Sequence, residues 1–337
     1  MAYTTIDDPA LYFNTVLYTG TGTTHNVTGV GFDPDFLWGK SRSGTDSHEL
    51  YDKVRGATKR IVSDTTAAEN TESYQSFITD GFAWSAGGNC NTSSATNVAW
   101  CWKANGSGSA NTTGSEDSTV SANTTSGFSI VKYTNPSSGS PFTVGHSIGA
   151  APELVIIKNL SATQTWGVWH TGIATGQYLR LDDTAAAASA NLVTATSSTT
   201  FSTYQDHHST GNELIAYCFA PIQGFSKFGK YKGNGNADGT FVFCGFRPAF
   251  VLYKNYEITE NWNINDSKRS GYNPDNAYLF SNLSNAESDI ERIDLLSNGF
   301  KLRTTDDEQN GTGYDFIYAA FAEAPLVNSN GVPCNAR

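Results

Sequence analysis

The chain repeats one pattern three times, and this repetition limits the possible folds more than any other feature of the sequence. Three segments share a small or apolar start, a proline, an apolar run and a lysine: Gly31–Lys40, Gly149–Lys158 and Gly245–Lys254. Each is preceded by an aromatic segment that ends in tyrosine and followed by a closing apolar segment. A period of about one hundred residues is longer than a solenoid repeat and predicts a small domain for each copy, with a core of its own.

The runs inside each copy predict β-strands. They are short, rich in β-branched and aromatic residues, and separated by clusters of Gly, Asn, Asp and Ser, as is typical of sandwiches and jelly rolls. We therefore predict an all-β fold of three tandem β-sandwich, jelly-roll-like domains of about 100 residues each. The boundaries are repeat 1 (copy 1) at 1–104, a polar Gly/Ser/Thr linker at 105–126, repeat 2 (copy 2) at 127–223, repeat 3 (copy 3) at 224–326 and a C-terminal tail at 327–337.

The two connections between copies differ. Residues 105–126 are polar and contain glycine, so they predict a flexible or surface-draped connector that leaves the first domain free to move. Only Ala220–Gln223 separate copies 2 and 3, which is too short for free rotation and predicts a fixed interface.

Local signals predict two hairpins and three core positions. Asp80-Gly81 and Asn298-Gly299 accept the backbone angles of a tight turn, whereas copy 2 lacks such a dipeptide and should have a remodelled hairpin. Alternation along the central strand of each copy places His48, Trp166 and Trp262 on its core side.

Charge and cysteine content exclude several classes of protein. With 32 acidic and 21 basic residues the net charge is −11, so we expect no nucleic-acid partner. No apolar run is long enough for membrane insertion, and the first residues lack a secretion signal. Five cysteines without a CxxC motif argue against a zinc site and a disulfide framework, which fits assembly in a reducing cytoplasm.

The sequence gives no sign of catalysis. Acidic residues lie scattered in polar segments, and the usual hydrolase, metalloprotease and nucleotide-binding motifs are missing. Cys101 and Cys218 occupy equivalent places in apolar strands and are predicted as small core residues. The single histidine pair, His207 and His208, is interpreted as a solvated loop tip in preference to a metal site. We predict no catalytic residue, no metal and no cofactor.

Copies 1 and 3 share a charged motif at the end of the central strand. Asp52 precedes Arg55 by the same spacing that separates Asp266 from Arg269, while copy 2 has His170. Each acid should pair with its arginine as an ion pair at the surface. The alternative is an arginine held ready for an acidic partner.

The candidate surface-binding residues are two tryptophans, Trp84 and Trp169, together with His207 and His208. Flat amphipathic side chains can dock sugar rings and neighbouring subunits. Trp169 should face away from the core if Trp166 and Val168 face into it.

Five segments resemble one family of proteins. They are Ala2–Pro9, Tyr51–Lys59, Ala99–Ala104, Gly224–Tyr231 and the ending around Gly331–Pro333. The chain resembles, over nearly its whole length, an uncharacterised tandem-repeat group of marine tailed bacteriophages, including those of cyanobacteria. The resemblance implies a virion structural or tail-fibre-type protein and supplies no catalytic residues.

The predicted function is that of a non-enzymatic virion structural protein, a tail-fibre or exposed appendage component assembled in the host cytoplasm. Its expected partners are other virion proteins and a host surface glycan. Alternatives are a capsid-bound decoration or fibre protein, and a lectin-like or depolymerase module. Three related domains could imitate a trimer within one chain, or the chain could form a homotrimer along a shaft.

Overall fold

A computed structural model describes residues 2–72, 75–136, 141–204 and 209–334. Within these ranges the helical segments are two three-residue 3-10 turns, Pro9–Leu11 and Asn89–Asn91, and the regular structure is otherwise antiparallel strand. The predicted all-β class is confirmed.

Copy 1 contains a six-stranded and a three-stranded sheet. The orders are β1-β9-β3-β4-β5-β6 and β2-β8-β7. The strands are β1 (Phe13–Thr19), β2 (His25–Thr28), β3 (Phe36–Ser41), β4 (Glu49–Asp52), β5 (Lys59–Val62), β6 (Asn70–Thr71), β7 (Gln75–Ile78), β8 (Gly81–Trp84) and β9 (Thr96–Trp102).

Copy 2 repeats this arrangement and adds two strands at one edge of the larger sheet. The orders are β10-β11-β12-β20-β14-β15-β16-β17 and β13-β19-β18. The strands are β10 (Ser109–Asn111), β11 (Ser118–Asn123), β12 (Phe128–Thr134), β13 (Phe142–Gly145), β14 (Leu154–Asn159), β15 (Gly167–His170), β16 (Gln177–Arg180), β17 (Ala188–Ser189), β18 (Val193–Thr196), β19 (Thr200–Thr203) and β20 (Glu213–Phe219).

Copy 3 has the same order in one continuous sheet, β21-β28-β23-β24-β25-β26-β27-β22, because its long β26 pairs in both the larger and the smaller part. The strands are β21 (Ser226–Lys232), β22 (Phe241–Phe243), β23 (Phe246–Asn255), β24 (Trp262–Asp266), β25 (Asp275–Phe280), β26 (Ser288–Leu296), β27 (Gly299–Leu302) and β28 (Asp315–Pro325).

The segment 105–126 is part of the fold, so the prediction of a flexible linker is wrong. β11 pairs with β12 along its whole length, and Val120, opposite Val131, is buried. Gly114 and Glu116 also bridge to Val144 in β13. A Ser/Thr-rich segment can form such a strand because strand pairing uses backbone groups. Only the face of the strand that packs on the core has to be apolar.

The three copies close into a ring through equivalent backbone hydrogen bonds. Glu69 N–H of copy 1 donates to Leu160 O of copy 2 over 3.1 Å. Ala187 N–H of copy 2 donates to Tyr256 O of copy 3, and Glu287 N–H of copy 3 donates back to Arg42 O of copy 1, both over 2.8 Å. Each acceptor is the first residue after β3, β14 or β23. The chain is therefore a closed, pseudo-threefold block in which copy 1 is held by both of its neighbours.

The largest apolar cluster is shared by all three copies, which corrects the expectation of three separate cores. The last aromatic residues of the closing strands, Trp102, Phe219 and Phe321, meet around the pseudo-threefold axis with ring centroids 5.6 to 6.4 Å apart. A small cavity of about 20 Å³ with a wholly apolar lining lies among them. Such a space favours neither water nor a polar ligand.

Separate, smaller clusters fill the sandwiches of copies 1 and 2, between the larger and the smaller sheet. Cys101 and Cys218 lie in these two clusters and are fully buried, as predicted for small core residues. The larger sheets are thus apolar on both faces, one toward the small sheet and one toward the shared centre. Because two faces are buried, β3 and β14 are buried at every position.

Candidate functional surfaces

Trp84 is not an exposed platform. It lies in the sandwich of copy 1 with 1 % of its surface exposed, where it packs edge-to-face against Tyr51 and Phe82. Its indole N–H donates to the hydroxyl of Tyr18 over 3.0 Å. The prediction of a surface-binding role for Trp84 is therefore wrong, because a buried tryptophan with a satisfied N–H stabilises the core.

Trp169 faces the side of its strand opposite to Trp166 and Val168, as alternation predicts, but that side packs on a second apolar cluster and is not a free surface. Trp166 and Val168 belong to the shared central cluster, whereas Trp169 packs half-buried against the separate cluster of copy 2. It lies opposite Val155 in the sheet. The other two candidates, His207 and His208, lie outside the described residues.

The two Asp–Arg pairs are buried, so their interpretation as surface ion pairs is wrong. Arg269 Nε donates to Asp266 Oδ2, and both side chains are fully buried. Arg269 Nη2 also donates to Ile264 O over 2.8 Å. Arg55 makes the same contacts with Asp52 and with Leu50 O. Charges placed this deeply need every one of these bonds, since an unpaired ion would be strongly destabilising.

These pairs lie at the interfaces between copies. Asp52 Oδ2 accepts a hydrogen bond of 2.8 Å from Tyr217 of copy 2, and Asp266 Oδ2 accepts one of 3.0 Å from the indole N–H of Trp100 in copy 1. Trp100 and Tyr217 occupy the same register position, which in copy 3 holds Ala319.

The interface of copy 2 with copy 3 lacks both the acid and its donor. Ala319 has no polar group to offer, and His170 stands where copies 1 and 3 have aspartate. The His170 Nδ1 accepts the backbone N–H of Gly172, so Nε2 carries the proton and donates to Tyr318 O over 3.1 Å. The sequence does carry a signal for these interfaces. The aspartate is replaced by His170 in one copy, and the aromatic donor that would bind it is replaced by Ala319 in the next copy.

Two buried lysines also hold interfaces together. Lys158 Nζ donates to Thr66 O of copy 1 over 3.0 Å, and Lys254 Nζ donates to Thr184 O of copy 2 over 3.1 Å. Burial lowers the pKa of each ammonium group to about 8. Because their hydrogen bonds go to loop carbonyls, these lysines stabilise the ring and are not free to act as nucleophiles.

The four buried cysteines are also structural. Burial raises the pKa of the thiols of Cys90, Cys101, Cys218 and Cys244, which makes thiolate chemistry unfavourable there. Among the described residues no group of three or more His, Cys, Asp or Glu side chains could hold a metal ion. None of the helical segments found in those ranges is long and apolar enough to cross a membrane.

One edge strand carries an unusual apolar surface. Phe241 and Phe243 of β22 are 44 % and 49 % exposed, while Val242 between them points into the core. β22 pairs with β27 on one side, and no described strand lies on its other side. The ammonium group of Lys227 lies 5.3 Å from the centroid of the Phe243 ring and donates to Phe243 O.

The equivalent edges in the other copies show that this surface is specific to copy 3. In β2 the same outward positions hold Asn26 and Thr28, which are exposed and polar. In copy 2 the edge of β13 is covered by the bridges from Gly114 and Glu116. The edge is thus polar in one copy, covered by the chain itself in the second, and open and apolar in the third.

These features define an all-β protein of three related copies, in which buried ion pairs, lysines and a histidine hold the copies together and the open apolar edge lies on copy 3. The chain belongs to the family described as a domain of unknown function, DUF7483, whose sequence profile matches residues 8–325. That match spans all three copies. Comparison with curated proteins and with solved structures gives no match.

Proposed function

We propose that the chain is a non-enzymatic structural protein of a phage particle, a tail-fibre or exposed appendage component that contacts neighbouring subunits. The resemblance to virion proteins of marine tailed bacteriophages gives the setting. The observation that carries the proposal is the open edge of β22 with Phe241 and Phe243.

An exposed apolar edge strand favours the addition of another strand along its free backbone groups. The incoming strand would displace the ammonium group of Lys227 from Phe243 O. In copy 2 the chain supplies its own covering segment at Gly114–Glu116. The proposed occupant of the equivalent edge in copy 3 is an extended segment of a neighbouring virion subunit. Because the three copies close into a ring, the β22 edge is held rigidly before any partner binds. Little conformational entropy of this chain is therefore lost when the partner segment adds to β22.

The test is chemical cross-linking of intact phage particles that encode the chain. We expect cross-links from Lys227 and Lys301, which flank β22, to another structural protein of the particle. Attachment to a tail protein would support the appendage role, and attachment to the capsid protein at fixed stoichiometry would support the alternative decoration role. Absence of the chain from purified particles would contradict both.

A matched variant tests whether the cross-linked partner binds at β22. Particles carrying Phe241→Asn together with Phe243→Thr, the residues of copy 1 at the same positions, should lose the chain or its Lys227 cross-links. The control, Asn26→Ser in β2, should assemble normally. Retention of the cross-links in the double variant would contradict docking on β22.

A second candidate function is binding of a host surface glycan, with depolymerase activity as its enzymatic version. It is favoured by the loop between β24 and β25, where an exposed tyrosine lies beside buried polar atoms.

A further inference from the structure

The loop between β24 and β25 differs from its counterparts in the other copies. It covers residues 267–274, whereas the loops after β4 and β15 cover residues 53–58 and 171–176 and are two residues shorter. Tyr272 near its tip has 82 % of its surface exposed. The assembly of the three copies does not require this exposed aromatic side chain, because the equivalent loops of the other two copies contain no aromatic residue.

A cavity of about 330 Å³ lies on one side of this loop, between copy 3 and copy 1. Arg42 of copy 1 forms one wall, and Asn276, Glu287 and Asp289 of copy 3 form others. The wall is fixed by a two-bond ion pair, in which Arg42 Nε and Nη2 donate to the carboxylate of Glu287 over 2.9 and 2.6 Å. The cavity is large enough for a ligand of the size that such sites bind.

A narrower cleft lies on the other side of the loop, beside Tyr272. It is lined by Arg247, Ser267, Asp275 and the ring of Tyr272 itself. Ser270 lines both the cleft and the larger cavity, so the two form adjoining parts of one surface.

Buried polar atoms without partners converge on this surface. They are Ser267 Oγ, both carboxylate oxygens of Asp275 and Asn276 Oδ1. Asp275 is 2 % exposed, and its carboxylate oxygens have no hydrogen bond of good geometry. Ser270, Asn265 and the positive charge of Arg269 still lie close enough to favour its ionised form. Burial raises the pKa of Asp275 to about 7. Buried groups of this kind are normally satisfied by water or by a ligand.

The chemistry of these atoms selects the ligand class. Carboxylate and amide oxygens accept hydrogen bonds, so the ligand has to supply O–H or N–H donors. The tyrosine ring requires a flat apolar face on the same ligand. Three carboxylates and the guanidinium groups of Arg42, Arg247 and Arg269 line this surface. Each of these arginines is already paired with a carboxylate of the chain, so none is left to neutralise a phosphate, a sulfate or an acidic sugar. A pyranose ring without charge combines ring hydroxyls with a C–H face and meets all three conditions.

We propose that the loop 267–276, with the cavity and the cleft beside it, is a binding site for a neutral hexose unit of a polysaccharide. Tyr272 stacks on the sugar ring, and Asn276, Asp275 and Ser267 accept hydrogen bonds from its hydroxyl groups, directly or through water. This proposal takes only its biological setting, attachment to a host, from the proposed function. The binding site itself does not involve β22.

The test is a titration of the full-length chain with neutral and acidic polysaccharides, followed by calorimetry and by size analysis of the glycan. The neutral probes are dextran, galactan, mannan and chitooligosaccharides, and the acidic probe is hyaluronan. We expect at least one neutral probe to bind and hyaluronan not to bind. Tyr272→Ala should weaken that binding at least 10-fold, and Asn276→Ala should weaken it several-fold.

The control variant is Phe241→Ala, which removes another exposed aromatic ring and should leave glycan binding unchanged. Equal affinity of the wild-type chain and Tyr272→Ala, or lack of binding to every neutral probe, would overturn the site. Shortening of the glycan would support the site and contradict the non-enzymatic part of the proposed function. Loss of β22 cross-links in particles would leave the glycan result untouched, so the two proposals fail separately.

Discussion

At the scale of single residues, the charged and titratable side chains of this protein act mainly inside the ring. Arg269 shows this most clearly, since its side chain is fully buried and contacts Asp266, Glu287 and the carbonyl of Ile264. The surface pair Arg247–Glu323 has similar geometry, with an N–O distance of 2.6 Å, but is solvated. The two pairs therefore differ in burial far more than in distance.

Substitution of Asp266 by asparagine should lower the free energy of unfolding by about 3 kcal/mol, because it leaves a buried guanidinium short of its counter-charge. The matched change Glu323→Gln should cost under about 1 kcal/mol, as is usual for exposed pairs. Urea unfolding followed by tryptophan fluorescence measures both. Equal losses in the two variants would mean that burial does not make the Asp266–Arg269 pair more important for stability than the solvated pair.

His170 should make stability depend on pH. Burial lowers its pKa to about 4 in the folded chain, while an unfolded histidine titrates near 6.5. Between these values the unfolded state binds a proton that the folded state does not, so stability falls as the pH drops from about 6.5 to 4 and is fully present above that window. The expected loss is roughly 3 kcal/mol.

The measurement is the urea midpoint at pH 7 and at about pH 4.5 for the wild-type chain and for His170→Asn. The variant should be less stable at pH 7, because it loses the bond to Tyr318 O, but should lose less on acidification. A drop of the same size in both proteins would assign the acid sensitivity to other groups.

At the scale of elements, the strands and hairpins could be predicted from the sequence because they depend on local pattern. Asp80 has a positive φ of 60° in the turn between β7 and β8, as expected from Asp80-Gly81, and its carboxylate accepts the N–H groups of Gly29 and Gly31. The second dipeptide, Asn298-Gly299, likewise joins β26 to β27. In copy 2 the connection between β18 and β19 is longer and is closed by Ser197, as the missing dipeptide indicated.

Sequence patterns did not reveal how the elements are shared between copies. The composition of 105–126 resembles a linker because polar residues on its exposed face hide the buried positions Ser118, Val120 and Ser121. Trp84 is a flat amphipathic side chain like Trp169, yet strand β8 places it between two sheets. The open edge of β22 is visible only when the same positions of three folded copies are compared. Local pattern carries no information about which edge another strand covers.

Strand β11, which lies between the edge strand β10 and β12, gives a test at the scale of elements. Its backbone amides should exchange slowly with solvent, because it is paired on both sides by β10 and β12. In Val120→Asp, which buries a charge against Val131, protection of residues 109–123 should fall sharply while that of β21 persists. The control Val332→Asp changes an exposed residue and should leave exchange unaltered. Rapid exchange of residues 118–123 in the wild-type chain would restore the linker interpretation.

At the scale of the whole molecule, three copies in one chain do what three identical subunits do in a trimer. Each interface uses the same backbone hydrogen bond and an equivalent acid or histidine, but the connecting segments are covalent. Closure within one chain satisfies all three interfaces internally. The isolated protein should therefore be a monomer of 36.2 kDa in light-scattering chromatography, and a stable homotrimer would contradict closure as the route to assembly.

The shared centre should also make unfolding cooperative over all three copies. Phe321 lies at the axis and contacts the rings of Phe13 and Phe250, in addition to Trp102 and Phe219 of the other two copies. Phe321→Ala should cost roughly 3 to 5 kcal/mol, since it opens a cavity that three sheets border and none can fill alone.

Calorimetry of the Phe321→Ala variant should show one transition at a lower temperature, and hydrogen exchange should rise in β1, β12 and β21 together. The comparison is Phe82→Ala, a change of the same size inside the sandwich of copy 1, where the added exchange should be largest in β2, β7 and β8. Separate transitions for the three copies, or exchange confined to copy 3 in Phe321→Ala, would mean that the copies unfold independently. The central aromatic residues would then fill space at the axis without coupling the copies.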